Sequence, residues 1–354
     1  MKKIFYFLII KIILSNNLFA EIKLTNILEN LRSPWSLSLI DNNNYLISEK
    51  SGNILLFNKS TGELKKIKHN LKVLEHGQGG LLDILYYKNK IIVSYSEDNG
   101  NFKTTTSAAI ANFNKDTLYF KNIFKAQPPI NSKYHFGSRL IIKNNYLYLS
   151  AGERGEGKIA QNPNKHPGSI IRINLDGSIP KDNPKFLNKP DWLPEIYQIG
   201  IRNVQGMCLS PFNNEIYITN HGAKGGDWFG KVLFGGNYGW DTLYWGGTKY
   251  SGLTGGPKWL PGFDKPIKYY VPSIAISACL IYNGDEFPEW NGNALITSLK
   301  DQSLRKINFI KNKFIKEKII LKDKIGRLRD IKIDSNGKLL LLTDQGSLWL
   351  LSKK

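Results

Sequence analysis

The feature that most constrains this chain is a unit that recurs six times: a short apolar strand, a tight polar turn and a second apolar strand. The clearest copy runs from His135 to Gly155 and turns at Asn144-Asn145. Asparagine accepts the left-handed backbone of a two-residue hairpin turn, so the flanking strands are predicted to pair antiparallel. Such pairing brings His135, before the first strand, to the same end as Glu153 and Arg154, after the second. The other copies join 34–39 to 45–49, 79–84 to 91–94, 203–209 to 216–219, 273–282 to 294–298 through a longer loop, and 325–333 to 339–343. Six such units predict an all-β chain folded as a six-bladed β-propeller, with sheets stacked around a central channel.

No Pro/Gly/Ser linker divides the chain, so residues 21–354 are expected to form one propeller domain. Residues 1–20 resemble a secretory signal peptide: Met1-Lys2-Lys3, a largely apolar run to Leu14, then Ser15 to Ala20. The run is too short to span a bilayer. The expectation is cleavage after Ala20 and a periplasmic or secreted protein without stable membrane insertion, with an uncleaved anchor as the alternative. A formal charge of +20 comes from lysines scattered along the chain. With no basic run interleaved with aromatics and no nucleic-acid motif, no nucleic-acid partner is expected. Cys208 and Cys279 fit no metal spacing and fall on first strands of adjacent units, as buried thiols or as a disulfide in an oxidising compartment.

Antiparallel pairing in every unit collects an unusual set of groups on one rim. First strands bring Gln78, His135, Arg202, Asn203, Arg327 and Arg329; second strands bring Glu49, Glu153, the loop 221–227 and Lys300. Clustered Arg and Lys suit an anionic ligand, because the guanidinium fork matches a carboxylate. Amides suit carbonyl or quinone oxygens, and His135 has the titration range of a general base. Singly, each residue has a plainer role: a strand-end histidine hydrogen-bonds, Arg327 and Arg329 form ion pairs, and Glu49 caps a turn.

Nine segments in order give the set a family. They are 34–37 (Pro-Trp-Ser-Leu), 77–83 (Gly-Gln-Gly-Gly-Leu-Leu-Asp), 135–137 (His-Phe-Gly), 202–206 (Arg-Asn-Val-Gln-Gly), 221–227 (His-Gly-Ala-Lys-Gly-Gly-Asp), 237–240 (Asn-Tyr-Gly-Trp), 272–275 (Pro-Ser-Ile-Ala), 298–300 (Ser-Leu-Lys) and 327–330 (Arg-Leu-Arg-Asp). From about residue 31 to 351 the chain resembles the soluble aldose sugar dehydrogenases, relatives of soluble glucose dehydrogenase. The resemblance implies bound pyrroloquinoline quinone, often with calcium, and oxidation of a sugar's anomeric carbon. It implies His135 as the base for the C1 hydroxyl, Arg202 at the quinone carbonyl, and Gln78 and Asn203 on quinone oxygens. Lys300, Arg327 and Arg329 would pair with the cofactor's carboxylates, and Tyr250 would line the pocket. Gly222, Ala223 and Tyr238 would serve calcium, and an external acceptor such as a periplasmic cytochrome or quinone would take the electrons from the aldose.

Two departures stand out. Trp228 occupies the place of the family's calcium-binding Glu, which weakens a site built from hard oxygen ligands. Glu153 replaces an Asp and moves a sugar-facing carboxylate outward by one methylene. Two other functions compete. A propeller that binds a ligand without catalysis keeps the fold but loses the cofactor, and a lactonase-type hydrolase needs inward carboxylates around a metal. The cationic rim disfavours the hydrolase.

Overall fold

The computed structural model describes residues 21–185 and 191–354, and the signal-peptide expectation for residues 1–20 lies outside them. Six sheets form around a ring, antiparallel but for one short parallel pair at the outer edge of the first, each beginning with the first strand of one predicted unit. Blade 1 starts at Pro34–Leu39, blade 2 at Leu81–Tyr87 and blade 3 at Gly137–Lys143. Blade 4 starts at Val204–Leu209, blade 5 at Ile276–Ile281 and blade 6 at Leu328–Ile333. These inner strands contact one another in sequence, and that of blade 6 contacts that of blade 1. The ring is closed, and the fold is a six-bladed β-propeller.

Closure depends on a strand far away in sequence. Ile22–Leu28 pairs antiparallel with the C-terminal Leu348–Lys353, so the outermost strand of blade 6 comes from the other end of the described chain. Among the described residues no helix is long and apolar enough to cross a membrane.

The hairpin turns form as their residues require. Lys88-Asn89 and Asn144-Asn145 both have positive φ, the geometry whose twist matches paired strands. At the opposite end, every inner strand breaks register with its partner near its start, between Pro34 and Ser36, Leu81 and Ile84, Gly137 and Leu140, Val204 and Gly206, Ile276 and Cys279, and Leu328 and Asp330. Bulges bend a strand and re-aim its side chains. Here six bulges lie just inside one rim.

Hydroxyls on the second strands latch the blades together. Ser48 donates to Leu82 O of the next blade at 2.5 Å, and Ser94 donates to Ser138 O at 2.5 Å. Thr219 makes the equivalent bond to Ser277 O. All three are fully buried, so each bond also satisfies a polar group that water cannot reach.

A polar knot blocks the channel. The Arg139 guanidinium, 2 % exposed, donates to Asp330 Oδ1 at 3.1 Å, Gln205 O at 2.7 Å and Arg329 O at 3.2 Å, and lies 4.1 Å from the centre of the Trp35 ring. It also approaches Asp83 Oδ1 at 3.4 Å, while Asp83 Oδ2 accepts Leu140 N–H. Burial would raise the Asp330 carboxyl, but the Arg139 and Lys332 charges outweigh it and hold the group below its ordinary value. The knot draws on five blades and separates a cavity of about 240 Å³ on the bulged rim from one of about 330 Å³ beyond.

Candidate active site

The rim cavity is walled by Trp35, Leu82, Phe136 and Leu299, with Lys50, Gln78, Asn203, Gln205, His221, Arg327 and Arg329 supplying polar groups. Its chemistry starts at the His135 hairpin. His135 has φ 49°, an uncommon backbone for a non-glycine residue, and its N–H donates to Gln78 Oε1 at 2.8 Å. Gly152 on the paired strand makes this conformation possible: a Cβ there would fall 2.0 Å from His135 O. The hairpin therefore presses the His135 backbone against a position that only glycine fills.

The His135 side chain is oriented from beneath. Nδ1 is hydrogen-bonded to Glu153 Oε1, and Glu153 Oε2 accepts Gly157 N–H at 2.7 Å. Burial raises the Glu153 carboxyl, but the His135 hydrogen bond and the Arg202 charge bring it below its ordinary value. The carboxylate is thus ionised, Nδ1 donates to it, and Nε2 of the neutral ring carries the lone pair. Burial lowers the His135 pKa from 6.5, reinforced by the charges of Arg202 and Arg154 and opposed by Glu153. Glu153, expected to face the sugar, is 1 % exposed, and both its oxygens take part in hydrogen bonds within the protein.

Arg202 stands beside this pair. It is 4 % exposed, its guanidinium carbon lies 5.2 Å from the Trp240 ring and 5.9 Å from the Tyr250 ring, and its Nε has no hydrogen-bond partner. A buried guanidinium donor left unpaired costs free energy unless something fills the space before it. Tyr250 beside Arg202 is 69 % exposed.

The two amides are turned by the backbone. Gln78 Oε1 accepts His135 N–H, and Asn203 Oδ1 accepts Gly137 N–H at 3.0 Å. With both oxygens so committed, each amide has its NH₂ end left to donate, which suits an acceptor oxygen.

The arginines of blade 6 are less free than the sequence implies. Arg329 holds Asp344 in a two-point grip, with Nε to Oδ1 at 2.7 Å and Nη2 to Oδ2 at 3.1 Å, and Arg327 Nε reaches Oδ2 at 3.0 Å. Burial would raise the Asp344 carboxyl, but the two arginines hold it below its ordinary value. Arg329 Nη1 also donates to Gln205 Oε1 at 3.1 Å. Lys300 is exposed on the rim beside Leu299, whose carbonyl meets Arg327 Nη1 at 3.4 Å.

Two groups that the sequence reading did not assign join the site. Lys50 Nζ donates to Gly77 O at 2.7 Å, and burial with the Arg329 charge lowers its pKa although Glu75 opposes them. His221 lines the cavity with an unpartnered Nε2; burial pulls its pKa down to about 4, with Arg202 and Arg329 adding to the effect against Asp227. Its position in the Gly-rich loop was the only sequence signal.

The site fits an anionic, oxygen-rich organic group: cations, two amide donors, flat aromatic walls and an orphaned guanidinium donor. It fits a hard cation poorly. Trp228 stacks against Tyr238 with ring centres 4.3 Å apart, both within an apolar cluster, and the Tyr238 hydroxyl exchanges two hydrogen bonds with the Lys231 backbone. The Tyr238 side chain therefore has no free donor for calcium, which leaves the backbone carbonyls of Gly222 and Ala223. Among the described residues, no group of three His, Cys, Asp or Glu side chains could hold a metal.

A closed six-bladed propeller with an oriented histidine and a cation-rich pocket on one channel mouth defines the class of this protein. Residues 31–351 match the Glucose / Sorbosone dehydrogenase family, and the chain belongs to it. It is 32% identical to the aldose sugar dehydrogenase YliI of Escherichia coli over 358 aligned positions, covering 97% of this chain and 96% of that protein. The crystal structure of the soluble aldose sugar dehydrogenase from Escherichia coli, in its apo form, superposes with a TM-score of 0.89 at 31% identity, covering 94% of this chain and 100% of that one. Quinoprotein glucose dehydrogenase B of Acinetobacter calcoaceticus is 29% identical over 64% of this chain and 54% of its own length.

Proposed function

We propose that this protein oxidises the anomeric C1 hydroxyl of aldose sugars, with pyrroloquinoline quinone as its cofactor. Bound in the rim cavity, the quinone would supply the hydride acceptor. Arg202, Gln78 and Asn203 would donate to its carbonyl oxygens, and Arg327, Arg329 and Lys300 would face its carboxylates. The single observation that carries the reading is the oriented pair of His135 and Glu153 beside a buried Arg202 with an unpartnered donor.

In this reading His135 Nε2 takes the proton of the C1 hydroxyl, and Glu153 stabilises the imidazolium that forms. Arg202 supplies fixed positive charge where negative charge develops. Trp35 and Phe136 keep water from one side of the cavity. Calcium receives no step, because the side-chain donors do not fit it. The chain is read as periplasmic or secreted, supported by the leader-like sequence of residues 1–20, with an external cytochrome or quinone as electron acceptor.

The experiment is a titration of the apo protein with pyrroloquinoline quinone followed by aldose addition with an artificial electron-acceptor dye. Saturable quinone binding and aldose-dependent dye reduction are expected. Quinone binding with no turnover of any aldose would favour a ligand-binding propeller.

A further inference from the structure

Cys208 lies on the inner strand of blade 4 and Cys279 on that of blade 5, and their sulfurs are 2.6 Å apart. Both residues are buried. The backbone sets up the approach. At Gly206, two positions before Cys208, a Cβ would fall 2.5 Å from Ser277 O and 2.7 Å from Cys279 N, so the inner strands meet more closely than any side chain would allow. Sulfurs at this spacing need only a small shift to reach the bonded separation of about 2.05 Å. They are too close to ligate a common ion, since thiolates at about 2.3 Å from a tetrahedral metal stand well apart.

We propose that Cys208 and Cys279 form a disulfide that staples blade 4 to blade 5, made by thiol–disulfide exchange before the two inner strands close. One cysteine thiolate attacks an external disulfide and releases one thiol. The second attacks the resulting mixed disulfide and releases another. Two protein thiols are oxidised and one external disulfide is reduced to two thiols. Once the blades are packed, burial and the neighbouring sulfur hold the Cys208 thiol well above its ordinary range, so it is inert toward exchange.

The staple joins the two blades whose rim ends carry Arg202 and Asn203 on one side and Lys300 on the other. It also closes the loop that contains His221 and Tyr250. A covalent link there stabilises the native ring chiefly by restricting the unfolded chain.

The test folds the full chain in a buffer of oxidised and reduced glutathione, then denatures it with an alkylating reagent and no reductant. Neither cysteine should be alkylated, and mass spectrometry should show the loss of two hydrogens and a linked peptide pair that separates on reduction. Dithiothreitol should lower the melting temperature by on the order of 5 °C or more. The double variant Cys208→Ala/Cys279→Ala should melt at one temperature with or without reductant. Alkylation of both cysteines after oxidative folding would overturn the proposal, as would a soft metal ion found on the pair. An oxidised pair that melts where the reduced one does would overturn its role as a staple.

Discussion

His135 and Glu153 are joined through Nδ1 and Oε1 across the two strands of one hairpin, with the carboxylate buried beneath the ring. The bond fixes the tautomer, so the ring nitrogen left to act is Nε2. Replacing His135 by Gln should leave quinone binding intact and cut turnover by roughly 10²–10⁴-fold, the range for loss of a general base. Glu153→Gln should lower turnover and shift the pH profile while leaving KM for the sugar nearly unchanged. A rise in KM alone would return Glu153 to the substrate.

With His135 in its proposed role as base, its lowered pKa sets the acid limb of activity. A base works when neutral, so kcat/KM should rise with pH and level off below the ordinary histidine value of 6.5. Stability carries the same sign. His135 and His221 both titrate lower folded than unfolded, so the unfolded chain binds more protons as pH falls below 6.5, and stability is lost toward acid. His221→Gln should flatten that loss, measured as melting temperature against pH between 6.5 and 4.

Asp344 is the counterion that the blade 6 arginines already have. Asp344→Asn should destabilise the apo protein by about 1–2 kcal/mol, between a surface pair and a buried one, since Arg327 is partly open to solvent and Arg329 is not. It should also tighten quinone binding by releasing both guanidinium groups. Isothermal titration and denaturant melts separate the two effects. Weaker quinone binding in this variant would mean that the Asp344 grip positions the arginines for the ligand.

Much of the ring was legible because its signals are local. Asn144-Asn145 announces its hairpin through two residues that tolerate positive φ, and Leu339–Thr343 reads as a buried strand from its run of leucines. The outer strands were not legible. Leu64–His69 is mostly exposed and lysine-rich, and Ile22–Leu28 finds its partner only when the ring closes. The site divides the same way. His135, Arg202 and Asn203 stand in short segments at bulged strand starts. The Arg139 knot and the Asp344 grip depend on which residues different strands and loops bring together, and no local pattern encodes that. Glu153 was legible as a rim carboxylate, but the direction of its side chain was not.

Trp228 is a packing residue in this fold. Trp228→Glu would set an unpaired carboxylate against Tyr238 in an apolar cluster, so it should cost on the order of 3–5 kcal/mol and create no calcium site. Chemical denaturation with and without calcium reads both outcomes. Calcium-dependent recovery of stability would show that the loop can reorganise around the ion.

The most direct measurement is a single turnover without oxygen. Protein loaded with pyrroloquinoline quinone is mixed with an aldose bearing deuterium at C1, and quinone reduction is followed by its absorbance. The account predicts reduction that is slower with deuterium than with hydrogen at C1 and nearly abolished in His135→Gln. Bound quinone that stays oxidised with every aldose, or reduction at an unchanged rate in His135→Gln, would contradict it.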